Sequence, residues 1–160
     1  MILGKLTGKS TTSEFKFIIE NETKKLDFVQ VFHKVYDYVL CQVVEIEADE
    51  SKTIAYCNVI GYKEKGVIKK PRIPFDPQSE VLKADDEFIM SIIEIKDARD
   101  AAIGKLDGKD IKVSLDLNKV LTMHLAVLAK SGSGKSYSVG VLLEEMLEQN
   151  IPVLVIDPHG

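Results

Sequence analysis

Two cysteines in 160 residues, Cys41 and Cys57, lie in apolar strand-like segments without the spacing of metal ligands. Their scarcity excludes a disulfide-stapled scaffold and a cysteine-based zinc site, and leaves buried free thiols as the expectation. Long hydrophobic runs are also missing. None approaches the roughly 18 to 20 residues that span a bilayer, and Met1-Ile2-Leu3-Gly4-Lys5 lacks the charge and apolar pattern of a secretory leader. The expectation is a cytoplasmic chain with no membrane association. Positive charge is not in excess either: 21 Lys and Arg stand against 25 Asp and Glu, for a formal charge of −4. That excludes a surface coated with basic residues for general nucleic-acid binding and leaves room for a local basic loop. With 45% hydrophobic and 29% charged residues, the chain has material for one ordinary domain or two small ones.

What is present divides in two. Over residues 1–100, apolar and polar residues alternate in short segments: Phe15 and Phe17 flank Lys16, and Val44, Ile46 and Ala48 alternate with Glu45 and Glu47. Further on, Ile111, Val113, Leu115 and Leu117 alternate with Lys112, Ser114 and Asp116. A period of two means half-buried antiparallel strands. Turn signals separate them at Glu20-Asn21-Glu22, Asp49-Glu50-Ser51 and Asp107-Gly108, the last a hairpin signal. No long amphipathic helix interrupts the first hundred residues, and a small antiparallel β-barrel, whose closure removes exposed edges, is the economical fold. Gly4-Lys5-Leu6-Thr7-Gly8-Lys9 and Gly104-Lys105-Leu106-Asp107-Gly108-Lys109 share a local pattern. It is too short for a duplicated module and reads as two similar hairpin edges.

The second part is of another kind. Ala129-Lys130-Ser131-Gly132-Ser133-Gly134-Lys135-Ser136 reads as a phosphate-binding P-loop, with Ala where the usual pattern starts with Gly. Gly132 and Gly134 let the backbone turn and aim successive N–H groups at one point. Lys135 supplies a cation for the β- and γ-phosphates, and the Ser136 hydroxyl a ligand for Mg²⁺. The residues assigned to nucleotide are Ser131, Gly132, Ser133, Gly134, Lys135, Ser136 and, at the helix start, Tyr137. Before the loop, Leu125 to Ala129 is an unbroken apolar run, expected as a strand buried on both faces of a parallel sheet. After it, Val139, Leu142, Leu143, Met146 and Leu147 form a helical stripe with Glu144, Glu145 and Glu148 off it.

That helix is expected to stop near Gln149-Asn150, ahead of Pro152. Val153-Leu154-Val155-Ile156 then reads as a second buried strand, making a right-handed β-α-β unit whose strand ends face the nucleotide. Asp157, at the end of that strand, is either close to the phosphates, as a catalytic and Mg²⁺-organising acid, or part of a plain turn with Pro158 and Gly160. His159, beside Pro and Gly, is more often a turn residue than a ligand.

The densest basic cluster is Lys63, Lys65, Lys69, Lys70 and Arg72, running into the proline-rich segment Pro71 to Pro77, which cannot sit in a central strand. A contact to DNA phosphates is one reading. A solvated hairpin and loop is favoured, because Glu64 and Asp76 dilute the charge and no aromatic platform accompanies it in the sequence.

Taken together, the β-rich start, Val113-Ser114-Leu115-Asp116, Leu121-Thr122-Met123-His124 leading to the P-loop, and Val153 through Asp157-Pro158-His159-Gly160 resemble the start of HerA-type ATPases, of the HerA/FtsK group of DNA translocases. The resemblance covers essentially the whole chain. Its most specific parts are the P-loop with its flanks and the Asp-Pro-His-Gly motif. It implies a barrel of the type shared with ATP synthase subunits (HAS-barrel-like) over residues 1–100. It further implies a connecting hairpin and the first part of a RecA-like ATPase domain over 101–160, a mixed β and α/β chain. It also implies ATP and Mg²⁺ as cofactors, a homo-hexameric ring, double-stranded DNA as substrate, and a NurA-type nuclease as partner in end resection. Gly134, Lys135 and Ser136 match the family's nucleotide-binding positions and Asp157 an acidic position near them. Met123 departs from the family, which often has Arg before this His, and so puts one inter-subunit contact in doubt.

Two other classes stay open: a non-enzymatic barrel that docks a partner, and a secretion or conjugation motor of the same group. A RecA-like core needs about five parallel strands, and only two are expected here. The water-activating glutamate and any arginine finger are therefore expected outside these residues, and the chain by itself is expected to be inactive. In a phosphate-release assay, residues 1–160 should give no ATP turnover above that of Lys135→Ala; a Lys135-dependent rate would overturn this.

Overall fold

The computed structural model describes residues 1–94 and 99–157. They form two compact units, Met1–Ile93 and Glu94–Gly160.

The first unit is the expected antiparallel barrel. Its strands are β1 (Ile2–Leu6), β2 (Glu14–Ile19), β3 (Phe28–His33), β4 (Asp37–Ala48), β5 (Thr53–Glu64), β6 (Val67–Lys69) and β7 (Glu80–Lys83), followed by helix α1 (Asp86–Ile93). Hydrogen-bonded neighbours run β2-β1-β7-β3-β4-β5, and β2 pairs with β5, so six strands close on themselves while β6 extends outward from β5. All these pairings are antiparallel. The closing ladder follows from the alternation: Phe15 lies opposite Cys57 and Phe17 opposite Ala55, and all four point into the core. Val29, Val31, Val39, Cys41, Val43, Val59 and Val81 share that interior with Leu3, Leu6 and Phe75.

The register is not uniform. On β4 the inward residues are Val39, Cys41 and Val43, and a bulge between Val43 and Glu45 then resets the alternation, so that Ile46 packs against the core. A bulge between Ile2 and Gly4 does the same on β1, placing both Leu3 and Leu6 inside. Bulges of this kind bend and twist strands, as a small closed barrel requires. Both cysteines are buried and free. Burial pushes the Cys57 thiol up to about 12 and that of Cys41 well above its ordinary value, so both stay protonated at neutral pH.

The connections use turn chemistry. Asp49 Oδ1 accepts hydrogen bonds from the Ser51 hydroxyl (2.7 Å) and from the backbone N–H groups of Ser51 (2.7 Å) and Lys52 (3.0 Å). The Ser51 hydroxyl, and after it these N–H groups, hold the carboxyl below its ordinary pKa. Lys65 and Gly66 both have positive φ, 51° and 79°, the arrangement of a tight hairpin turn that suits strand twist. The short helix α1 has no counterpart among the strands expected over residues 1–100; Asp85 starts it, its Oδ1 accepting the Phe88 N–H at 2.8 Å.

In the second unit, β8 (Asp100–Lys105) and β9 (Lys112–Asp116) pair as a hairpin. Asp107-Gly108 sits in a wider loop, closed by the Leu106 N–H donating to the Ile111 carbonyl at 2.9 Å. Leu117 does not continue β9. Asp116 Oδ1 accepts the N–H groups of Asn118 (3.0 Å) and Lys119 (3.3 Å), and this cap starts helix α2 (Leu117–Thr122). Helix α3 (Lys135–Glu148) is the one expected after the P-loop.

The β-α-β unit is where structure and sequence part. Neither residues 125–129 nor 153–156 form a strand. An apolar run becomes a strand only when another backbone satisfies its N–H and C=O groups, and among the described residues no ladder reaches either segment. Most of their side chains are accordingly open to solvent, with Leu128 92%, Leu154 87% and Ile156 84% exposed, while Val153 is half-buried beside Ile151 and Met146.

Gly4 tests the barrel directly. A Cβ there would fall 1.8 Å from the Ile18 carbonyl oxygen across the β1–β2 ladder, whereas one on Gly66 meets nothing within 4 Å. Gly4→Ala should therefore lower unfolding free energy by about 3 kcal/mol, the upper range for overpacking. Gly66→Ala should cost about 1 kcal/mol for its left-handed backbone. Urea denaturation of the two variants checks the order; equal losses would contradict it.

Candidate nucleotide-binding site

The loop before α3 is shaped by its two glycines. Gly132 has φ +77° and Gly134, the residue preceding the helix, has φ +85° and ψ 17°. A Cβ at either position would meet no atom within 4 Å. It is thus the left-handed backbone, and not lack of room, that calls for glycine. The Ser133 hydroxyl and N–H both donate to the Lys130 carbonyl, at 2.6 and 3.2 Å, and fold the loop back on itself.

The N–H groups of Lys135, Ser136 and Tyr137, in the first turn, have no intrahelical acceptor, and Gly134 has no side chain to cap them. The first helical bond is made one residue later, where the Ser138 N–H and hydroxyl both donate to the Gly134 carbonyl at 2.9 and 3.1 Å. Ser138 lies outside the P-loop pattern. Its signal in the sequence is weak, a hydroxyl in the first helical turn that can bond four residues back.

An open hollow of about 530 Å³ lies over this loop, lined by Ala129, Lys130, Ser131, Gly132 and Gly134 through Tyr137. Six of the seven expected nucleotide residues therefore face one space; Ser133 instead supports the loop from behind. The first turn of α3 carries no acidic side chain. An anion would meet unpaired N–H groups, the positive end of the helix dipole and the amines of Lys130 and Lys135.

Asp157 is exposed and is not among the residues lining this hollow. Pro158, His159 and Gly160 lie outside the described residues. Among the described residues, no group of His, Cys, Asp and Glu has the arrangement of a metal site, and no helix is long and apolar enough to cross a membrane. Met123 ends α2, its N–H donating to the Lys119 carbonyl at 3.0 Å, with its side chain exposed.

Helix α3 is positioned by its C-terminal half. Leu142 and Met146 pack with Ala101 of β8, Leu117 of α2 and Ile151. Glu145 accepts the Ala102 N–H at 3.0 Å, and the Gln149 amide donates to the Asp100 carbonyl at 2.7 Å. The helix ends as expected at Gln149-Asn150. Asn150 is left-handed at φ 58°, its N–H donates to the Leu147 carbonyl (2.9 Å), and that of Ile151 to the Met146 carbonyl (3.0 Å). This is a Schellman motif with Asn at the left-handed position.

Residues 101–160 match the family model described as "Helicase HerA, central domain". The "Probable DNA double-strand break repair helicase HerA" of Methanocaldococcus jannaschii is 34% identical over 161 residues, covering 100% of this chain and 32% of the relative. The "DNA double-strand break repair helicase HerA" of Sulfolobus acidocaldarius is 29% identical over 160 residues, with 99% and 29% covered. That of Sulfurisphaera tokodaii is 29% identical over 182 residues, with 100% and 36% covered. The chain thus spans about a third of the length of these relatives. With the central-domain model matched over residues 101–160 and the whole of this chain aligned to about a third of a HerA relative, the chain is similar to HerA-type helicases along its entire length.

Proposed function

We propose that this chain is part of an ATP-dependent motor acting on double-stranded DNA, with residues 129–136 holding the triphosphate. The observation that carries the reading is the hollow at the uncapped start of α3, lined by Gly132, Gly134, Lys135 and Ser136. In this reading the backbone from Ser131 to Tyr137 cradles the phosphates, and the Lys135 ammonium bridges the β- and γ-phosphates. Ser136 fits Mg²⁺, a cation that keeps most of its waters and takes one or two protein oxygens beside those of the phosphates. Bound there, Mg²⁺ would neutralise charge on the transferred phosphoryl group. Asp157 is proposed to approach the same site once residues 125–129 and 153–156 are strands of a sheet completed by further chain.

The relatives' names, helicases of double-strand break repair, support a role in DNA end processing. We place ATP between neighbouring subunits of a homo-hexamer, with hydrolysis moving loops that grip DNA. The barrel, proposed as the domain over residues 1–100, serves as assembly collar and docking surface for a NurA-type nuclease, and residues 101–160 open the ATPase domain. The acid that activates water and the arginine finger are assigned to the two thirds of the relatives' length that this chain does not span.

Calorimetric titration of Mg²⁺-ATP tests the site. Lys135→Ala should weaken binding at least tenfold, the loss of a charge-assisted contact of about 1.5–3 kcal/mol. Ser136→Ala should lose the Mg²⁺-dependent part of the affinity and match the wild type in EDTA. Equal affinity of wild type and Lys135→Ala would remove the nucleotide reading.

A further inference from the structure

The basic segment, which shows no aromatic platform in the sequence, gains one in the fold. Tyr62 on β5 lies directly opposite Lys69 on β6, and Tyr36, from the turn between β3 and β4, stacks on Tyr62 with ring centroids 4.7 Å apart and planes at 21°. The two rings, Glu64, Lys69, Lys70 and Arg72 line a hollow of about 540 Å³ on the barrel surface. Both tyrosines are half-buried; Lys70 and Arg72 are exposed.

The walls of this hollow are fixed. Tyr36 continues a column of rings into the barrel, through His33 (4.6 Å), Phe75 (5.7 Å) and Phe15 (5.4 Å). Phe75 anchors the proline-rich loop in the core, Pro71 is buried, and the Arg72 N–H donates to the Tyr36 hydroxyl at 3.2 Å. Lys69 is paired with Glu64, which leaves Lys70 and Arg72 as the uncompensated charges at the rim. A chain with a formal charge of −4 therefore concentrates positive charge beside a rigid aromatic stack.

We propose that this hollow is a binding site for single-stranded nucleic acid, an unpaired base stacking on the Tyr36–Tyr62 pair while Lys70 and Arg72 hold neighbouring phosphates. Cations tracking a backbone next to aromatic faces are what an unpaired strand needs. In a duplex the bases are already stacked and their faces are closed to the tyrosines. An acidic peptide would use the cations and leave the stacked rings without a role. Rigid walls keep the ordering cost of binding low. The proposal does not rest on the nucleotide reading, since none of its residues belongs to the P-loop.

The test is fluorescence anisotropy of the 160-residue chain with a short labelled oligothymidylate, competed by a duplex of the same length and by polyglutamate. The oligothymidylate should bind, with weaker competition from duplex and polyglutamate. Lys70→Ala with Arg72→Ala should weaken binding about tenfold, and Tyr62→Leu by a similar factor. Tyr62→Phe and Lys135→Ala should leave it unchanged. The chain has five tyrosines and no tryptophan, so base stacking should also quench its tyrosine fluorescence. The Lys70/Arg72 pair alters only exposed side chains, which keeps the test decisive even if Tyr62→Leu unfolds. Absence of binding, unchanged affinity in the Lys70/Arg72 variant, or a duplex bound as tightly as the strand would overturn the proposal. So would equal binding of polyglutamate, which would assign the hollow to an acidic protein partner.

Discussion

The clamp between α3 and β8 is the contact on which the candidate site depends. A glycine loop has no rigidity of its own, and the direction in which its N–H groups point is inherited from the helix that follows. Here that helix is fixed at its far end by Leu142 and Met146 in the apolar cluster, and by two side-chain bonds to the backbone of β8. Glu145 matters most among these. Its carboxylate accepts an edge N–H of β8, a charge-assisted bond in a half-buried position, of a kind worth about 1.5–3 kcal/mol. The Schellman motif at Asn150 completes the arrangement by returning the chain so that Ile151 packs beside Met146. The loop at one end of α3 is thus held by packing at the other.

The barrel obeys a different constraint, closure. Six strands can share one interior only if the β2–β5 ladder forms, and that ladder sets Phe15 and Phe17 opposite Cys57 and Ala55. Once the ring is closed, strict alternation can no longer hold everywhere, and the bulges on β1 and β4 absorb the difference. The same closure leaves β6 outside the ring, on the edge of β5. That placement puts Lys69 across from Tyr62 and turns a basic stretch of sequence into one wall of a hollow.

These two constraints explain what the sequence could and could not reveal. Phe15-Lys16-Phe17 announces a strand because burial there is one-sided, and Gly132 and Gly134 announce the loop because few other residues adopt its backbone. Both signals are local. The register of β4 is not, since the bulge after Val43 depends on the partner strand. Asp116 looked like one more polar residue in an alternating run, and only its position against Asn118 and Lys119 makes it a helix cap. The helix after Asp85 is short enough for its two buried isoleucines, Ile89 and Ile92, to pass for part of a strand-rich region. Leu125 to Ala129 and Val153 to Ile156 have the composition of buried strands, but a ladder needs a second backbone, and composition does not supply one. Tyr36 is invisible as a neighbour of the basic segment because it lies 26 positions before Tyr62 in the sequence.

Helix α3 also runs against its own electrostatics. An ordinary helix gains by placing acidic residues in its first turn and basic ones in its last, each worth roughly 0.3–1 kcal/mol. This one has neither: its first turn has no acid and its last no base, with Lys135 at the start and Glu144 and Glu148 exposed near the end. The side-chain charges therefore add to the dipole where they would usually oppose it, and raise the positive potential over the P-loop. Such an arrangement costs the free protein stability and is relieved when an anion settles on the loop. A broken local rule of this kind, with no side-chain cap at the helix start, is what a site for a charged ligand would produce. It gives the proposed phosphate site a physical argument separate from its sequence pattern: the glycines shape the loop, and the charges on the helix behind it would favour a bound anion.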